Sequence, residues 1–67
     1  MNLLQQTRRV ATLEMKYRQL NAEHAQSLRD NRSRQYCLDI RNEMLVVAAA
    51  MRREQRTLRG MERAILN

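Results

Sequence analysis

Residues Cys37 to Ile65 read CLDIRNEMLVVAAAMRREQRTLRGMERAI. Within this stretch Cys37, Ile40, Met44, Val47, Met51, Glu54, Leu58, Met61 and Ile65 follow one another in steps of three and four without a slip. Eight of the nine are apolar and Glu54 is the exception, so the stretch predicts one long helix with a heptad seam down a single face. The helix extends to about residues 34–66. Gly60 lies inside the pattern and costs about 1 kcal/mol relative to Ala. The seam continues past it, so it reads as tolerated, with a close helix approach or an early helix end as alternatives.

Working outward, the first part of the chain carries a weaker version of the same pattern. Leu3, Val10, Leu13, Tyr17 and Leu20 mark one face of a helix over about residues 3–29, fading at His24, Ser27 and Leu28. Gln6 and His24 stand where a strict coiled coil wants apolar side chains. Between the helices, Asp30-Asn31-Arg32-Ser33 is rich in residues that compete for backbone hydrogen bonds and so favour caps and turns. Ser33 or Asn31 is the expected N-cap of the second helix. Neither Gly nor Pro marks this turn, which leaves a continuous bent helix as the alternative.

The fold class is therefore all-α: a single domain over residues 1–67, folded as a two-helix antiparallel hairpin with coiled-coil-like packing. Turning the chain at residues 31–32 places Leu20 near Met44, Tyr17 near Val47, Leu13 near Met51 and Val10 near Glu54. The expected hairpin seam is thus Val10, Leu13, Tyr17, Leu20, Ile40, Met44, Val47, Met51 and Leu58. Helix formers dominate the composition, with no Pro, Trp or Phe and one Gly.

At 67 residues such a hairpin is short of core. Chains below about 70–80 residues generally need disulfides, a metal or a partner. One Cys and one His leave little for the first two, so a partner chain or self-association is expected to complete the fold. The run Met44–Met51 shows where. It is apolar all the way round, and a helix of that kind is usually buried all round. Met44, Val47 and Met51 serve the hairpin. Leu45, Val46, Ala48 and Ala49 point elsewhere; Leu45 and Ala48 make a second stripe beside the seam, and Leu38 extends it toward the turn. Leu38, Leu45, Ala48 and Ala49 are the expected partner-binding residues.

No catalytic constellation, cofactor motif or metal site is expected. A two-helix hairpin offers no cleft, and one Gly excludes phosphate loops and dinucleotide fingerprints. His24 and Cys37 are expected to approach each other across the turn, with Asp39 near, but they lack a ligand-spacing motif. The eight-residue apolar run is too short to span a bilayer, which takes roughly 20 residues. Met1 to Arg9 shows no basic segment leading into a long apolar run, so no signal peptide is expected. The lone Cys fits a reducing cytoplasm.

Charge supplies a second reading. The chain carries 13 basic and 7 acidic residues, and twelve of the thirteen are Arg. Arg52, Arg56, Arg59 and Arg63 recur on the face opposite the seam. They are either a solvated face or, as the alternative function, the contact of a dimeric hairpin with RNA or DNA phosphates. Only Tyr17 and Tyr36 are available for base stacking. A structural coiled-coil adaptor is the third reading.

Arg34-Gln35-Tyr36, then Arg41-Asn42-Glu43, then the alanine-rich Met44–Met51 segment resemble the second helix of the small type III secretion co-chaperones, the YscE/PscE-like family. The resemblance covers about half the chain in residues. It implies an antiparallel helical hairpin in the bacterial cytoplasm. It also implies packing against a larger tetratricopeptide-like chaperone, and with it the keeping of a needle subunit unpolymerised before export.

Overall fold

The computed structural model describes residues 2–66. Two helices, α1 (Leu3–Arg29) and α2 (Arg34–Leu66), form an antiparallel hairpin, and no strand occurs among the described residues. At about 1.5 Å per residue, the 33 residues of α2 account for the long axis of a rod measuring 51 × 15 × 14 Å.

The ends of α1 and the start of α2 are set by local hydrogen bonds. Asn2 caps α1: its side chain accepts from the Gln5 N–H at 2.8 Å, and the Gln5 side chain accepts from the Asn2 N–H at 3.3 Å. This reciprocal box satisfies two amides that the first turn leaves free. At the other end Asn31 takes a left-handed conformation, with φ of 54°. The Arg32 N–H then bonds the Ser27 carbonyl at 3.0 Å and the Asn31 N–H bonds the Leu28 carbonyl at 3.3 Å. That pair of bonds is the Schellman closure, and Asn is the residue other than Gly that most readily supplies it. The turn therefore needs no Gly, and the continuous bent helix is excluded. Ser33, not Asn31, is the N-cap of α2, its Oγ accepting from the Tyr36 N–H at 3.2 Å.

Between the helices the seam forms one core. Leu20, Ile40 and Val47 are buried together, with Leu13, Tyr17 and Met44 packed against them, and Val10 is buried further from the turn. Met51 and Leu58 are half-buried on the same face of α2. Ser27 ends the α1 seam, buried, whereas Leu28 turns outward. Gly60 sits in uninterrupted helix, and a Cβ built there would meet nothing within 4 Å. It marks neither a close approach nor a helix end.

The polar exceptions in the two seams meet each other. Gln6 is fully buried, and its Nε2 donates to both the Glu54 carbonyl at 2.9 Å and Glu54 Oε2 at 2.7 Å. Arg9 adds an ion pair to Glu54 Oε1 at 3.9 Å. Glu54, expected opposite Val10, is thus held by the residues that flank Val10 in α1, because long polar side chains reach past their own layer to find a partner. Near the turn, Cys37 Sγ donates to Ser27 Oγ at 3.4 Å, and Ser27 Oγ donates to the His24 carbonyl at 2.8 Å. Cys37 is thus engaged by Ser27, and Asp39 accepts from Gln35 on the surface at 2.8 Å. His24, Cys37 and Asp39 do not come together as a group that could hold a metal ion.

Candidate protein-interaction site

The seam of α2 faces α1, which fixes where every other α2 side chain points. Gln55 Nε2 reaches Glu14 Oε1 at 3.5 Å, so the α2 line through Ala48 and Gln55 borders one flank of the hairpin. Arg9 and Ala50 border a groove on the opposite flank. The helical repeat then divides the apolar Met44–Met51 run. Met44, Val47 and Met51 turn inward. Leu45 and Ala48 lie on the Glu14–Gln55 flank, and Ala49 faces away from α1. Val46 lies on the other flank, in a groove with Lys16, Asp39, Asn42 and Glu43.

Leu45 is 58% exposed and Val46 69% exposed, although both sit in the most apolar stretch of the chain. Leu38 is 38% exposed, Ala49 is exposed and Ala48 half-buried. Of the four expected partner residues, Leu38, Leu45 and Ala49 thus form an exposed strip along α2 from near the turn to mid-helix, with Ala48 half-covered at its edge. One residue of the strip comes from α1. Leu28 stands 14 residues, two heptads, after Glu14 and so falls on the same flank, and it is exposed. The sequence pattern had placed Leu28 at the fading end of the seam. Its heptad phase relative to Leu13 and Leu20, one step past Ser27, was the signal that it belongs outside.

Charge is distributed unevenly along the rod. Residues 2–16 and 52–66, at the open end, hold eight basic and three acidic residues. Residues 17–51, at the turn end, hold five basic and four acidic. The open end is therefore strongly cationic and the turn end almost neutral. Arg52, Arg56, Arg59 and Arg63 are all exposed on α2. Ala49, Arg52, Gln55, Arg56 and Arg59 line an open groove of about 590 Å³. Among the described residues the one ion pair is Arg9–Glu54, so these guanidinium groups have no intramolecular carboxylate. At the turn, the Arg32 guanidinium lies 5.3 Å from the centre of the Tyr36 ring, a cation–π contact that occupies one of the two aromatics.

No group of three or more His, Cys, Asp or Glu residues that could hold a metal ion occurs among the described residues. No helix among them is long and apolar enough to cross a membrane. What α2 presents on its surface is an apolar strip and a row of guanidinium groups. Compared with known proteins, the chain matches no family model, no curated protein and no solved structure.

Proposed function

We propose that this chain is a protein-interaction module whose Leu28–Leu38–Leu45–Ala48 face is completed by a helix of a larger partner. One observation carries this reading. Among the described residues, Val10, Leu20, Ile40 and Val47 are the buried apolar core, while Leu28, Leu38 and Leu45 are exposed on the flank where the helical repeat places them. A hairpin of this size gains stability mainly by burying more apolar surface, at roughly 25 cal/mol per Å². Resemblance of Arg34–Met51 to the type III secretion co-chaperones gives the reading its specific form. In that form the hairpin packs on a tetratricopeptide-like chaperone in the bacterial cytoplasm and so protects a needle subunit before export.

The test compares three variants in the native host. Leu45→Glu and Ala48→Glu leave the seam intact and keep the free chain helical by circular dichroism. Both abolish co-purification with the chaperone, because a charge in a packed apolar interface must be desolvated without a counter-ion. They also lower the cellular level of the needle subunit. Val47→Glu, in the core, unfolds the hairpin and serves as the control. If Leu45→Glu and Ala48→Glu both leave complex formation untouched, the partner does not use this face.

A further inference from the structure

Leu38, Leu45, Arg52 and Arg59 are spaced seven residues apart, so they fall on one line along α2 with Arg41, Ala48 and Gln55 beside it. Along this single track the chemistry changes once. From Leu38 to Ala48 it is apolar apart from Arg41; from Arg52 to Arg59 it is cationic, before the flanking line reaches Glu62. The change is abrupt, and Arg52 Nε is tied back to the Ala48 carbonyl at 3.3 Å, at the junction. A helix laid along α2 to cover Leu38, Leu45 and Ala48 passes next over the groove of Ala49, Arg52, Gln55, Arg56 and Arg59.

We infer that the partner segment is an amphipathic helix of two chemistries, apolar where it crosses Leu38, Leu45 and Ala48 and acidic where it crosses Arg52, Arg56 and Arg59. This rests on the interaction-module reading above and adds the partner's charge. Complementarity selects this occupant over two others. A second copy of the chain offers no match: from residue 38 to residue 59 the track carries no carboxylate, so a two-fold contact of the same face supplies guanidinium groups without counter-charges. A nucleic-acid backbone answers the arginines but leaves the apolar half of the track bare, and no aromatic side chain lies on the track for base stacking. Arg in place of Lys suits bidentate contact with carboxylates.

The experiment is a selection from a displayed library of helical peptides, four heptads long. Each exposed-face position is randomised among Leu, Ala, Glu and Lys, and the bait is the full-length chain. Peptides that bind the wild-type chain are expected to be apolar in one half and Glu-rich in the other. Selection on the triple variant Arg52→Glu/Arg56→Glu/Arg59→Glu is expected to return the same apolar half with Lys in place of Glu. A wild-type-selected peptide is expected to bind the triple variant roughly ten- to hundred-fold more weakly at low salt. Arg52→Gln/Arg56→Gln/Arg59→Gln, which adds no new charge, is expected to fall between. Circular dichroism confirms that all these variants stay helical, since the three residues lie outside the seam.

No acidic enrichment, no enriched peptide, or the same enrichment on the reversed variant overturns the inference. So does tight binding of a 20-base-pair RNA or DNA duplex at physiological salt that displaces the selected peptides, since the arginines then serve phosphates. The two readings fail separately. Apolar selection without acidic enrichment removes only the charge assignment, whereas acidic selection without apolar enrichment removes the Leu38–Ala48 face itself.

Discussion

The turn-proximal half of the hairpin and its open half are held together in different ways. Near the turn, Leu20, Ile40 and Val47 close on one another, with Leu13, Tyr17 and Met44 around them. Toward the open end, Gln6 and Glu54 replace that packing with two hydrogen bonds, and Gln6 Oε1 is left buried without a partner. Apolar layers supply cohesion but tolerate sliding, because one methyl-lined layer resembles the next. A buried polar layer contributes less energy but is satisfied in only one alignment. The comparison teaches that cohesion and alignment are assigned to opposite ends of one short rod.

The sharpest way to break the contrast is to put a charge into the cohesive half. Val47→Glu is expected to cost about 3–5 kcal/mol, the range for an unpaired buried charge, and to abolish the helical signal at room temperature. Removing the polar layer is expected to act in the opposite direction. Gln6→Leu with Glu54→Leu relieves the orphaned Gln6 oxygen and adds apolar contact, raising stability by about 1–3 kcal/mol in thermal melts. The same double variant is expected to lose its single alignment, seen as extra species in cross-linking between cysteines placed at neighbouring layers. A gain in stability with one cross-link pattern retained would show that the turn alone sets alignment.

The turn can be tested directly. Asn31→Val is expected to destabilise by about 1–2 kcal/mol, since a β-branched residue resists the left-handed conformation. Asn31→Gly should be close to neutral. Gly60→Ala is expected to act in the stabilising direction. With open space around the new Cβ, it is expected to stabilise by about 1 kcal/mol, a rise in Tm of roughly 4–8 °C.

Most of this fold was legible in the period of the apolar residues. The seam of α2 holds from Cys37 to Met61 at half-buried or buried positions, and only Ile65 is exposed. What the pattern did not reveal lies in residues that break it. Gln6 and Glu54 each registered as a flaw in its own helix, because periodicity scores a helix alone and cannot pair an exception with its answer on another. Asn31 was read as a possible cap of the second helix, whereas its role closes the first; only its backbone conformation distinguishes the two. At the candidate site, the apolar excess of Met44–Met51 was plain from composition. The contribution of Leu28 was not, since it depends on which flank of α1 the hairpin leaves open.

The two helix ends away from the turn come together: Leu3 lines a common hollow with Glu62, Ile65 and Leu66. A pull applied to the two termini therefore loads the hairpin as a zipper and not in shear. Layers are stressed one at a time, beginning at Leu3 and its α2 neighbours, then the Gln6–Glu54 layer, and reaching Leu20, Ile40 and Val47 only afterwards. The rod is consequently soft when its ends are drawn apart, and stiff when it is loaded along its axis.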